Sequence, residues 1–171
     1  MRRGYKNFNS LIKAVASSSL LMANFDVIAV GEKFSTIEKN LISSLGFSSD
    51  QVKQKSFVTD IELAQIYMNA AVFVYPSLYE GFGLPPLEAM SASCPVVCSN
   101  TSSMPKVVRN AGIYFNPLDI EEMRNAIERV VFSEDLKNKL VTLGYENIKN
   151  FSPTKCASKT LEIYRKFTGK L

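Results

Sequence analysis

The chain has 171 residues and a formal charge of +4, from 20 Lys and Arg against 16 Asp and Glu. It is long enough to bury one core without disulfides and too weakly basic, with no basic patch interleaved with stacking aromatics, to argue for nucleic acid. Apolar residues make up 46% and charged residues 21%, which excludes a disordered chain. Histidine is absent, so the commonest general base and the commonest zinc ligand are both missing.

From the start, residues 9–20 read as an amphipathic helix with Leu11, Ile12, Val15 and Leu20 on its apolar side. Residues 25–30 read as a short apolar strand closed by Gly31, and 35–45 as a second helix stopped by Gly46. A short strand is expected over 52–57. Thr59-Asp60-Ile61-Glu62 is a capping-box pattern that opens a helix over 61–70. Strand 72–75 ends at Pro76; a short helix over 87–93 and a strand over 96–99 follow. A helical turn over 104–109, a strand over 112–115 and a helix over 120–131 come next. Two closing helices occupy 134–150 and 152–167, the second with Pro153 at its first position. Strands separated by helices imply βαβ units. The expected fold is therefore α/β: one Rossmann-like domain, a parallel sheet with helices on both faces. In such sheets ligands bind at the carboxyl ends of the strands.

No apolar run approaches the roughly 18 residues of a membrane span, and residues 1–6 lack the apolar core of a secretory signal. Cys94, Cys98 and Cys156 are an odd, sparse set that suits a reduced, cytoplasmic chain. Cys94 and Cys98 flank Pro95-Val96-Val97 and read as core, because no second Cys/His pair exists to complete a metal site.

The chemistry is concentrated between Pro76 and Met90. A strand ends, a loop with Gly81 and Gly83 follows, and a helix begins near Pro85 or Pro86. A glycine loop running into a helix N-terminus presents unpaired N–H groups and a positive dipole end, which suit phosphate. Glu80 and Glu88 bracket this loop, eight positions apart. A carboxylate beside a phosphate site is useful where it accepts hydrogen bonds from vicinal hydroxyls, so the pair points to a sugar–phosphate ligand. Each glutamate taken singly also reads as a favourable first-turn charge or an exposed loop residue.

This segment resembles the Glu-x7-Glu motif of the group 1 glycosyltransferases (family 4, retaining, GT-B fold), and the resemblance runs over nearly the whole chain. It implies the C-terminal, donor-binding half of that fold. Glu80 would contact hydroxyls of the transferred sugar and Glu88 those of the ribose. Backbone N–H groups around Gly81, Phe82, Gly83 and Leu84 would meet the sugar and diphosphate. Arg2 or Arg3, with Lys6, would neutralise the diphosphate, and the nucleobase would lie at Phe57 and Val58. No metal or other cofactor is implied.

The chain departs from the family pattern in three ways. The first strand and the N-terminal acceptor half are lacking. Lys106 stands where the family more often has Glu, and Ser93 where it usually has Gly. The implied donor is GDP-mannose, with a UDP-hexose second, as in bacterial surface-polysaccharide enzymes. The implied acceptor is a glycan or a lipid-linked glycan held by the N-terminal half. The enzyme would be cytoplasmic, with peripheral contact of the parent protein at the inner face of the membrane. A nucleotide-sugar binding module without its own transferase activity is the alternative, and the 171 residues alone are expected not to transfer sugar. Because chain termini fray unless tied down, Arg2 and Lys6 are expected to contribute little by themselves.

Overall fold

A computed structural model describes residues 4–168. The chain enters through one 3-10 turn, Gly4–Lys6, and then forms α1 (Phe8–Ala16) and α2 (Ser19–Asn24). The sequence pattern reads as a single helix here. Ser18 breaks it: the residue is extended, its hydroxyl caps α2 by accepting from the Leu21 N–H at 3.0 Å, and it donates to Glu128. A serine that bonds backbone locally competes with helix continuation.

β1 (Val27–Val30), α3 (Thr36–Ser44) and β2 (Val52–Lys55) follow, then α4 (Asp60–Asn69). The Thr59 capping box forms as expected, with the Thr59 N–H donating to the Glu62 carboxylate at 2.7 Å. Beyond it lie β3 (Phe73–Tyr75), α5 (Leu84–Ser91), β4 (Val96–Ser99), α6 (Met104–Val108) and β5 (Gly112–Phe115). Three helices close the chain: α7 (Ile120–Val131), α8 (Glu134–Ile148) and α9 (Pro153–Thr168).

All strand pairings are parallel. β4 is central among β3-β4-β5, with Val96 between Phe73 and Gly112, and all four of its residues are buried. Its alternate side chains serve two cores. Val97 packs with Ile12, Val15, Phe115, Met123, Ile127 and Val130. Val96 and Cys98 pack with Tyr67, Leu87, Met90, Met104 and Val108. The period of two along a strand puts these neighbours on opposite faces, so helices cover both. Each fully buried Val or Met contributes about 1.5–3 kcal/mol of transfer free energy. Cys94 and Cys98 are buried, and burial pushes both thiols up to about 12.

The strands form two sheets, β1-β2 and β3-β4-β5, rather than one continuous ladder. A cavity of about 1040 Å³ lies between them, lined by all of β1, all of β3, and apolar side chains such as Leu11, Val15 and Leu63. The carboxyl end of β3 opens at the mouth of this cavity, where Tyr5, Lys6, Tyr75 and Ser77 gather.

Candidate functional site

The site grows from the end of β3. Pro76 and Ser77 leave the strand, and the loop to Gly83 is held from behind. Ser102 and Ser103 hydroxyls donate to the Glu80 carbonyl at 2.5 and 3.0 Å, and the Glu80 N–H donates to Ser102 Oγ at 3.2 Å. Gly83 then takes φ 95° as the N-cap of α5. A Cβ there would stand 2.2 Å from Met104 Cε, the flexible end of that side chain, so it is the positive φ that calls for glycine.

The helix starts at Leu84, and its next two residues, Pro85 and Pro86, carry no N–H. The free donors are thereby confined to the loop. Among the described residues, no backbone N–H of Gly81, Phe82, Gly83 or Leu84 has a hydrogen-bond acceptor. Gly81, Phe82 and Leu84 are exposed and Gly83 is buried; unpaired amides at an exposed helix start suit an incoming anion.

Lys6 is brought to this loop from the other end of the chain. Its ammonium donates to Glu80 Oε1 at 2.7 Å and to the Tyr75 hydroxyl at 3.0 Å, and lies 5.1 Å from the centroids of both Tyr5 and Tyr75. The segment is tied down on both sides. Leu78 N–H donates to the Tyr5 carbonyl at 2.7 Å, and Asn7 Nδ2 donates to the Pro117 carbonyl at 2.8 Å. The expectation of a frayed terminus is therefore wrong from Gly4 onward: short-range charge patterning hid these long-range backbone anchors. Arg2 and Arg3 lie outside the described residues.

Burial would raise the Glu80 carboxyl, but the Lys6 ammonium together with the Ser77 and Tyr75 hydroxyls outweighs it and holds the group below the usual carboxylate range. The fully buried Ser77 hydroxyl helps, although it has no partner of good geometry. Burial would lower Lys6, and its bonds to Glu80 and Tyr75 raise it instead.

Glu88 sits one turn into α5, exposed, and accepts from the Tyr67 hydroxyl at 3.3 Å. It opens onto the larger cavity with Pro85, Tyr67 and Tyr75, whereas Glu80, Gly81 and Phe82 line a smaller hollow of about 380 Å³ with Lys106. The two carboxylates thus flank the loop from different sides, and Lys6 joins them by lining the larger cavity while pairing with Glu80. Lys106 makes the smaller hollow more basic, as its substitution for a glutamate implies. Ser93 takes φ 60°, a left-handed position that glycine would fill without strain. Phe57 is fully exposed at φ 54° and Val58 half-buried; neither lines either hollow. Tyr67, Tyr75 and Ser77 escaped the sequence reading. Tyr67 and Tyr75 pass as apolar helix and strand residues, and only the fold brings their hydroxyls to Glu88 and Lys6. Among the described residues, no three His, Cys, Asp or Glu side chains gather as a metal site. None of the described helices is long and apolar enough to cross a membrane.

Residues 2–147 match the family model described as glycosyl transferases group 1. The chain belongs to the group 1 glycosyltransferase family. Among its relatives in that family, O-antigen chain mannosyltransferase B of Escherichia coli is 39% identical over 67% of this chain and 30% of its own length. The Escherichia coli serotype-specific mannosyltransferase WbdA is 34% identical over 92% of this chain and 20% of its own. The chain therefore spans a third or less of these two relatives. The solved structure of Anabaena HepE with UDP and glucose superposes with a TM-score of 0.84 at 19% identity, over 95% of this chain and 46% of that one. The C-terminal domain of the group 1 glycosyltransferase LpcC of Francisella tularensis superposes at 0.75 and 22% identity, over 87% of this chain and 80% of that domain. The α/β, Rossmann-like architecture is thus that of one half of the GT-B glycosyltransferases.

Proposed function

We propose that these residues are the C-terminal, donor-binding half of a retaining glycosyltransferase that moves a hexose from a nucleotide sugar to a surface polysaccharide. The observation that carries this reading is the run of unpaired amides from Gly81 to Leu84, flanked by Glu80 on one side and Glu88 on the other. Leu84 and the N-terminus of α5 meet the diphosphate. Glu88 accepts from the ribose hydroxyls, and Glu80 from hydroxyls of the sugar. As the glycosidic bond breaks, negative charge grows on the departing diphosphate. Lys6, with Arg2 or Arg3 before it, and the loop amides stabilise that charge. The reading includes no metal ion.

The donor we favour is GDP-mannose, supported by the mannosyltransferases among the relatives, with a UDP-hexose second; HepE was solved with UDP. The nucleobase lies at Phe57 and Val58. The acceptor, a glycan or lipid-linked glycan, is held by parts of the protein beyond these residues, with peripheral contact at the cytoplasmic face of a membrane. The 171 residues bind donor without transferring it. A melting-temperature screen against GDP-mannose, GDP, UDP-glucose and ADP-glucose tests the reading. A ligand at 100 times its dissociation constant stabilises by about 2.7 kcal/mol. GDP-mannose is expected to give the largest upward shift; no shift with any nucleotide sugar would refute donor binding.

A further inference from the structure

Three aromatic rings run beneath the site in contact. Tyr67 of α4 meets Phe73 of β3 edge-on at 5.2 Å between centroids, and Phe73 stacks on Tyr75 at 5.7 Å. Each end of this row carries a hydroxyl on a charged group of the site. Tyr75 accepts from Lys6, the partner of Glu80, and Tyr67 donates to Glu88 Oε2. Tyr67 is 7% exposed, so its ring is fixed by packing, whereas Glu88 is exposed and has three rotatable side-chain bonds of its own. A glutamate on a helix surface loses substantial rotamer entropy when a ligand orders it. One already tied to a rigid phenol has lost part of that freedom beforehand. The hydroxyl occupies one carboxylate oxygen and leaves the other, with the remaining lone pairs, to accept from a vicinal diol.

We infer that Tyr67 is a positioning residue: its hydroxyl fixes the Glu88 carboxylate for the ribose hydroxyls and so sets how strongly the site prefers ribonucleotides to deoxyribonucleotides. The inference rests on the donor reading above and adds to it a residue that acts only through Glu88. Its signature is a ratio. A structural defect weakens every nucleotide alike, whereas loss of positioning weakens only those that present the hydroxyls.

The test is calorimetric titration with GDP and 2′-deoxy-GDP, and with UDP and 2′-deoxy-UDP, of the wild type, Tyr67→Phe and Glu88→Ala. Tyr67→Phe removes one oxygen and keeps the ring contact with Phe73. It is expected to cut the ribose preference about threefold, the effect of an ordinary hydrogen bond, since at 3.3 Å this one is long for a hydroxyl on a carboxylate. Deoxynucleotide affinity should stay within about twofold, and adding Tyr67→Phe to Glu88→Ala should change nothing further. Should Tyr67→Phe fold poorly, 4-aminophenylalanine at position 67 supplies a donor on the same ring. That variant is expected to retain the ribose preference. Equal weakening of ribo- and deoxynucleotides by Tyr67→Phe, or an unchanged preference, overturns the inference. If Glu88→Ala removes the preference and Tyr67→Phe does not, only the role of Tyr67 falls. If Glu88→Ala leaves the preference intact, the donor reading of Glu88 falls as well.

Discussion

Replacing Lys6 by methionine keeps most of the side-chain volume and removes the ammonium. In the structure that ammonium has two partners, Glu80 at 2.7 Å and Tyr75 at 3.0 Å. The Glu80 side chain is 13% exposed and the Lys6 side chain 36%. The lysine's exposure screens the pair, so its loss should cost about 1 kcal/mol of folding stability rather than the several expected of a fully buried ion pair. For a chain of this size that is about 2–4 °C in melting temperature. The loss in binding should be larger. A charged hydrogen bond to phosphate is worth about 1.5–3 kcal/mol, so the affinity for GDP or UDP should fall roughly 10- to 100-fold.

The pH dependence has a definite sign. Glu80 titrates below its ordinary value in the folded state. Its contribution is present above the unfolded value of 4.5 and is lost as pH falls through the folded value. Lys6 titrates above its ordinary 10.5, so its contribution is complete below that pH and is lost as pH rises through the folded value. Lys6→Met should therefore narrow the stability difference from wild type at both extremes. Titrating GDP and UDP into both proteins at low and moderate salt, with melting curves across pH, decides the matter. Wild-type nucleotide affinity in Lys6→Met would refute the proposal that this anchored cation meets the diphosphate.

Gly83→Ala should destabilise by about 1–3 kcal/mol through its positive φ, even if the flexible end of Met104 moves aside, and should weaken GDP binding by re-aiming the loop amides; chemical denaturation and calorimetry check both. Ser18→Ala removes the α2 cap and leaves Glu128 without that donor, so a loss of about 1–2 kcal/mol is expected in urea denaturation. In hydrogen exchange, the amides of β4 that bond to neighbouring strands should exchange slowest. The β1 and β3 amides that face the cavity should exchange faster than their strand-paired neighbours, as edge groups do.

The sequence determined much of the local structure because the relevant physics is local. Val96–Ser99 and Gly112–Phe115 were legible as strands to the residue, since short β-branched and aromatic runs bounded by turn residues have few other solutions. The Thr59–Glu62 capping box was legible because both partners lie within one turn. The loop from Pro76 to Gly83 and the helix that follows it were legible because glycine and proline constrain backbone regardless of context. Even so, α5 begins at Leu84, three residues before the apolar pattern suggests, because prolines count as helical without contributing to that pattern.

What depends on distant partners was decided by tertiary structure. The split at Ser18 involves Glu128, 110 residues away, and no periodicity reports it. The anchoring of Lys6 needs Tyr75, Leu78, Glu80 and Pro117. The placing of Glu80 and Glu88 on different sides of one loop follows from the turn at Gly83 and the packing of α5 on the β3–β5 sheet. Apolar pattern and capping chemistry act over a few residues, whereas hydrogen bonds between side chains on separate elements exist only once packing has set their distances.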